Sequence, residues 1–331
     1  MWLVPVLLVV AAATFLLMHL VPGSPWSARP LPLAMSQQGA DQATLAQWNR
    51  QYGLDKPLWR QFFAYVVGDF DDEGQFVCGA LCGNLGPSFR QRGRSVQDVL
   101  FEPPEGLGFW QSRFGYSARL GLLALLLAVG LGLPAGVMAA LRHGTWPDYA
   151  ITTLTTISTS IPSFVLGLIL IVILASTLHV ISIVPTSWAH AGFKAWIVPA
   201  VVLSLGTMGT VARLTRASML DVMRQDYVRT ARAKGLVERL IVSRHILHNA
   251  LIPVVTILGP ALAELVTASF IIEMMFGFPG IGREYVESVT RLDYSMIMAA
   301  TLLYTVLIVL SNLAVDLTYG VIDPRLRIDR R

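Results

Sequence analysis

Apolar residues fall into six long stretches separated by polar segments of very unequal length. The first is Trp2 to Val21, and the second, Leu120 to Leu141, contains no charge. The third, Tyr149 to Leu178, is long enough to tilt or to continue beyond the bilayer. The fourth, Ala195 to Ala212, is near the minimum for crossing about 30 Å of hydrocarbon. The fifth, Ala250 to Ile272, carries Glu264, and the sixth, Ser295 to Ile322, carries Asp316. Segments of this kind cross a membrane as helices, so the pattern predicts an all-α integral membrane protein.

The segment between the fourth and fifth stretches has a different pattern. Leu220, Met223, Tyr227, Ala231 and Gly235 follow one another at i+3 or i+4 and so share one helical face. Arg224, Arg229, Arg232 and Lys234 lie off that stripe. Gly235 has no side chain and would let another backbone approach closely. A solvated basic loop obeying membrane topology has much the same composition. The length, the stripe and the internal glycine favour a docking element for a cytoplasmic protein.

The longest polar segment, Pro22 to Arg119, has parts of its own. Residues 22–40 are Pro-rich and irregular, and Asp41 to Gly68 reads as one or two amphipathic helices with Leu45, Trp48, Tyr52, Leu58, Phe62 and Tyr65 as apolar positions. Asp69 to Gly93 is Gly-rich and reads as loop, with an acidic patch at Asp69, Asp71, Asp72 and Glu73. Ser95 to Leu100 reads as a short helix opened by a serine cap, and Pro103 to Gly108 as a hinge. A small cap facing outside is expected here. Cys78 and Cys82 lie in it as C-x-x-x-C. A disulfide there would contribute about 2 kcal/mol by chain entropy; two free thiols are the alternative, and no further ligands cluster to suggest a metal.

Composition agrees with the pattern. Hydrophobic residues make up 54% of 331, charged residues 14%, and mean hydropathy is +0.59; soluble domains carry about 25% charged residues. A net charge of +4 is too weak to argue for nucleic acid. Arg142, eight Lys/Arg between Arg213 and Asn249, and four in the tail (Arg325, Arg327, Arg330, Arg331) total thirteen on one side, against Lys194, Arg283 and Arg291 on the other. The thirteen mark the cytoplasm. With six spans, both termini are then cytoplasmic. The first span has no charged n-region and a poor cleavage site, which favours a retained anchor over a signal peptide.

Polar residues within the spans carry two readings each. An unpaired Glu264 would cost about 2.5–3.5 kcal/mol, so it lines a translocation path or pairs with a neighbouring helix. Asp316 is expected to snorkel or to pair with a tail arginine. Thr152, Thr153, Thr155, Thr156, Ser158, Thr159 and Ser160 bond across helices or to their own backbone, or line a wet passage. Pro162 would loosen the helix there, as a gate or as a packing kink. Gly132 and Gly136 form G-x-x-x-G, a weak sign of close helix approach. No phosphate-binding G-x-x-x-x-G-K-[ST] and no H-E-x-x-H occurs; if ATP drives this protein, another chain binds it.

Seven segments in order resemble the permease subunit of bacterial ABC importers of the dipeptide/oligopeptide permease B type. They are LVPGSP, YGLDKPLWRQFFAYV, GNLGPSF, SIPSFVLGLILI (160–171), ARLTRASMLDVMRQDYVRTARAKGL (212–236) with RHILHNALIPVV, IEMMFGFPGIGREYVESVTRLDY (272–294) and NLAVDLTYGVIDPRLR (312–327). The resemblance covers nearly the whole chain. It implies the six-helix type I importer permease fold: residues 1–21 as helix 1, an external region 22–116, a transmembrane domain 117–322 including the coupling region 213–249, and a cytoplasmic tail 323–331. It also implies a coupling helix for the ATPase, carried by Tyr227, Arg229, Thr230, Ala231, Arg232, Ala233, Lys234, Gly235 and Leu236. Arg229, Thr230 and Ala231 stand at the family's Glu-Ala-Ala positions, with Gly235 at its glycine. Pro253 follows Gly235 by eighteen positions, longer than the general pattern. Asn84 replaces the usual Asp, and residues 69–83 resemble a subfamily insertion.

The expected function is half of a translocation pathway for di- or oligopeptides in the bacterial inner membrane, with Ser158, Ser160, Pro162 and Glu264 as candidate lining residues. The implied partners are a second permease, two cytoplasmic ATPases that hold ATP and Mg, and an external substrate-binding protein; the chain itself needs no cofactor and catalyses nothing. Nickel or glutathione as cargo, or an ion-driven secondary transporter, are the alternatives; the last would usually show internal repeats, which are absent.

Overall fold

A computed structural model of the chain describes residues 3–21, 46–47, 49–50, 52–70, 74–91, 93–177, 187–188, 191–267 and 269–322. In chain order the elements are α1 (Leu3–Leu20), α2 (Leu58–Val66), β1 (Gly68–Phe70), β2 (Phe76–Cys78), α3 (Val96–Phe101), α4 (Arg113–Leu141), α5 (Trp146–Ser160) and α6 (Ser163–Ile171). There follow α7 (Phe193–Met223), α8 (Asp226–Ala233), α9 (His248–Thr267), α10 (Phe270–Met275), α11 (Ile281–Arg291) and α12 (Tyr294–Ile322). π-helical turns extend α6 over Val172–Thr177 and precede α9 over Ile241–Leu247.

Among the described residues, four segments are long and apolar enough to cross a membrane: Arg113–Leu141, Phe193–Met223, Glu238–Met275 and Tyr294–Ala314. The pair Trp146–Ser160 and Ser163–Leu174 makes a fifth, and Val4–Leu20 is a shorter apolar helix. Two sequence expectations need correction. The third stretch is not one tilted helix but two, bent by 101°. Pro162 supplies no N–H and excludes the residue before it from helical geometry, and Ile161 is accordingly extended at φ −95°, ψ 127°. The fourth stretch is a 31-residue helix rather than a minimal span, because its charged C-terminal half keeps helical pattern after hydropathy has fallen.

The chain divides into two compact units. The first comprises Met1–Tyr116 and Pro279–Val306, the latter a segment that the sequence alone assigns to the transmembrane domain. One cluster in it buries Ala11, Met18, Phe89, Tyr294, Ile297 and Met298; another buries Val96, Val99, Leu100, Ile281, Met296 and Ala299. The Asp293 carboxylate, 2% exposed, accepts from Ser88 Oγ at 2.7 Å and from the backbone N–H of Phe89, Arg90 and Met296 at 3.3 Å. Ser95 and Asp98 close a capping box at the start of α3, as the serine suggests. The expected loop from Asp69 to Gly93 instead contains the antiparallel β1–β2 pair. Cys78 and Cys82 are joined as a disulfide, Cα atoms 5.9 Å apart. Asp69 takes Lys56 at 2.8 Å and Arg60 at 3.2 Å; Asp71, Asp72 and Glu73, like Leu45 and Trp48, lie outside the described residues.

The second unit, Ser117–Phe278 with Leu307–Arg331, is held by small residues. A Cβ on Gly132 would come within 2.7 Å of the Met208 carbonyl, and one on Gly136 would run into the Ala212 carbonyl. The G-x-x-x-G stripe of α4 therefore brings that helix against α7 at backbone distance. On the other side of α7, a Cβ on Gly209 would meet Ser158 and Thr159 of α5. Glycine is what lets both neighbours in.

Candidate functional site

The striped segment between the fourth and fifth stretches folds as a hook. α7 stops at Met223, Arg224 and Gln225 turn the chain, and α8 begins at Asp226. The continuous face expected from Leu220 to Gly235 is thus interrupted. Val228 and Ala231 of α8 are the buried positions, packed with Met219 of α7, Ala140 of α4, and Ile241, Ile246 and Ala250 beyond the hook. Tyr227, a member of the expected stripe, is 43% exposed, and its hydroxyl accepts from Asn249 Nδ2 at 3.2 Å. Beyond the break, α8 takes its phase from Gln225, not from α7.

Gly235 has a conformational reason to be glycine besides the expected one. It sits at φ +76°, a left-handed backbone that favours glycine, with nothing of this chain within 4 Å of a hypothetical Cβ. Its N–H donates to the Arg232 carbonyl at 2.9 Å, and Leu236 N–H donates to the Ala231 carbonyl at 3.3 Å. This is a Schellman cap, which ends α8 and turns the chain back. Arg232 clamps the same turn by two hydrogen bonds to Glu238, at 2.6 and 3.2 Å. The outer surface carries Tyr227, Arg229, Leu236, Val237 and Leu240, with the Arg229 side chain 72% exposed. Thr230, Ala233 and Lys234 are exposed beside them. An exposed face with apolar and cationic groups, rigidly backed by the ends of three helices, suits protein docking.

Near the same end of α7 lies a buried ion pair that the sequence reading missed. Asp148, in the first turn of α5, is 1% exposed. It accepts from Arg216 Nε at 2.6 Å and Nη2 at 2.9 Å, and from Gly144 N–H at 3.0 Å. His143 Nδ1 lies 3.0 Å from the carboxylate and 3.1 Å from Arg216 Nη2. The pair ties α5 to α7 about one turn from Met219. Its signal in the sequence was an acid at a helix start after Pro147.

The hydroxyl-rich run is mostly satisfied within α5. Thr155, Thr156, Ser158 and Thr159 donate to carbonyls three or four residues earlier, at 2.8–3.1 Å. Ser158 faces Gly209 of α7 and packs between the two helices. Ser160 and Pro162 are exposed at the bend, and Glu264 is exposed on α9. Asp316 has no described side chain. A second buried acid of this unit is Glu273, fully enclosed, which accepts from Ser117 and Ser269 hydroxyls at 2.7 Å each. Sequence reading passed over it inside an apolar run, although an acid flanked by Ile272 and Met274 has to find donors. Beside the start of α4, the Arg119 guanidinium stacks over Trp196 at 4.6 Å, and Trp196 meets Phe278 at 4.8 Å. No cluster of metal-ligating side chains occurs among the described residues.

Comparison with known proteins agrees with this architecture. Residues 132–328 match the family described as "Binding-protein-dependent transport system inner membrane component", and residues 2–107 its N-terminal companion. The chain is 36% identical over 326 residues to the dipeptide transport system permease protein DppB of Bacillus subtilis, covering 98% of this chain and 95% of that one. It is 37% identical over 325 residues to the oligopeptide transport system permease protein OppB of Escherichia coli K12 (98% and 96%). The glutathione transport system permease protein GsiC of Escherichia coli O6:H1 is 36% identical over 326 residues (98% and 96%). A crystal structure of an amino acid ABC transporter shares the fold with a TM-score of 0.51 at 17% identity, over 63% of this chain and 92% of that one. By its match over residues 132–328 and its full-length relatives, the chain belongs to the binding-protein-dependent transport system inner-membrane components, as a multi-pass membrane protein of the dipeptide/oligopeptide permease B type.

Proposed function

We propose that this chain forms half of a translocation pathway for di- or oligopeptides in a bacterial inner membrane, with both termini cytoplasmic. A second permease supplies the other half, an external binding protein delivers peptide, and two cytoplasmic ATPases bind ATP and Mg. The observation that carries the reading is α8: an exposed Tyr227/Arg229 face whose back, Val228 and Ala231, is packed on Met219, Ile241 and Ile246. A push on that face is delivered to α7 and to the helix leading into α9. The Asp148–Arg216 pair passes it from α7 to α5, whose far end breaks at Pro162. A helix bundle with two packings, biased from one end, is the physical basis of such a switch. Peptide cargo is favoured by the likeness to DppB and OppB; the equal likeness to GsiC favours glutathione, itself a short peptide, as the second reading.

The test uses the assembled complex in vesicles, loaded with ATP. Gly235→Val forces a branched side chain into φ +76° and disturbs the end of α8. ATP-driven peptide uptake is expected to be lost while membrane insertion and assembly with the second permease persist. Unchanged uptake contradicts the docking role, and uptake by this chain without companion subunits contradicts the whole reading. Competition between dipeptide, longer peptide and glutathione then separates the cargoes.

A further inference from the structure

Helix α2 carries an apolar face with no partner among the described residues. Val66 is buried, and Phe62 packs edge-on against Phe15 of α1 with ring centroids 5.5 Å apart. On the adjoining face Trp59 is 66% exposed and Phe63 57%, and Leu58 and Val67 are exposed at its two ends. Trp59, Phe63 and Val67 recur every fourth residue, so this is one continuous stripe.

The level of α2 relative to the bilayer follows from what it touches. α1 has 18 residues and is about 27 Å long, close to the hydrocarbon thickness. Its last turn therefore lies at one face of the membrane. Phe15 is five residues short of that end, about 8 Å along the axis. His19 of α1 lies 5.3 Å from Tyr294, the first residue of another apolar span, which sets the same boundary independently. Leu16, Leu17 and Leu20 of α1 are exposed at this level, as lipid-facing residues are. A helix resting on Phe15 is thus at the depth of about 5–10 Å that interfacial amphipathic helices reach with their apolar faces. Tryptophan and phenylalanine on one face suit that zone, and Lys56 and Arg60, tied to Asp69, stand where headgroups begin.

We propose that α2 is an interfacial helix whose Leu58–Trp59–Phe63–Val67 face is embedded in the leaflet at the C-terminal end of α1. Phospholipid covers it, anchoring the cap to the bilayer surface. The inference needs only that α1 and α12 span a membrane, and is independent of cargo and of ATPase docking.

The experiment places nitroxide labels at Trp59→Cys and Phe63→Cys, one at a time, with Glu105→Cys as the exposed control; the native cysteines are engaged in the disulfide. The assembled complex is reconstituted in phosphatidylethanolamine/phosphatidylglycerol vesicles. Collisions with oxygen, which partitions into lipid, are compared with collisions with a water-soluble nickel chelate. Oxygen is expected to exceed nickel several-fold at 59 and 63, and nickel to exceed oxygen at 105. Nickel access at 59 and 63 equal to that at 105 overturns the proposal. So does low access by both reagents, or protection that appears only when the external binding protein is added, since each marks a protein occupant. As a measurement without labels, brominated phospholipid should quench the tryptophan fluorescence of the unaltered protein more than that of Trp59→Phe; equal quenching also overturns it.

Discussion

The two compact units are held together by different physics. In the first, polar ties join residues distant in sequence: Asp293 gathers Ser88 and three backbone N–H groups, and Arg113 meets Glu284 at 2.9 Å, while the Cys78–Cys82 disulfide closes the turn after β2. In the second, Gly132, Gly136 and Gly209 let helix backbones touch, and the two enclosed carboxylates, Asp148 and Glu273, are each fully provided with donors. The difference follows from the solvent. Between helices in lipid the apolar surroundings give no hydrophobic drive, so close packing and buried hydrogen bonds replace it. The part of the first unit outside α1 and the start of α12 has a modest core and gains from cross-links and caps.

That contrast can be broken at four places. The largest effect is expected from Asp148→Ala, which leaves Arg216 without its anion in the second unit. A loss of about 3 kcal/mol is expected, toward the lower end for broken buried pairs because the Arg216 side chain is 26% exposed. Thermal unfolding in detergent measures it, and Arg216→Met in the same chain should recover part of the loss. Next, Asp293→Ala should cost the first unit about 1–3 kcal/mol by leaving buried donors unsatisfied, read as faster hydrogen exchange at residues 88–91 with the exchange of α7 unchanged. Gly136→Val should cost about 1–3 kcal/mol through the clash with Ala212; the same substitution at Gly144, where nothing lies within 4 Å, should leave α4–α7 packing unaltered.

The smallest effect concerns pH. The hydrogen bond from Lys56, then that from Arg60, holds the Asp69 carboxyl well below the usual carboxylate range. A depressed folded-state value means the contribution is complete above the unfolded value of about 4 and is lost as pH falls below it. Protection of residues 56–70 from hydrogen exchange should begin to weaken as pH falls below about 5 and continue to weaken below the unfolded value of about 4, and Asp69→Asn should remove that dependence. The pair is partly exposed, so the change is expected to be slight.

Much of this organisation was legible from the chain. Hydropathy located the spans because hydrocarbon demands long apolar helices, and Ser95 announced α3 because a serine cap is a local signal. The hook was legible as an element but not in its phase. Heptad-like spacing joined Met223 to Tyr227, while Gln225 resets the helix and turns Val228 inward. Gly235 was singled out for its missing side chain; its left-handed φ was not legible, since periodicity says nothing of φ. Asp148–Arg216 and Ser117–Glu273 escaped notice because their members are 68 and 156 residues apart. The β1–β2 hairpin was missed because glycine and acidic residues mask two three-residue strands.

The central claim is that α8 receives the stroke of a separate ATPase. A cysteine at Arg229, whose side chain is 72% exposed, tests it directly in the assembled complex once alkylated with a maleimide photo-cross-linker and illuminated. The account predicts a permease–ATPase adduct from Arg229→Cys that forms in membranes, and none from Glu105→Cys in the cap. Failure of Arg229→Cys to cross-link while uptake remains ATP-driven would contradict it.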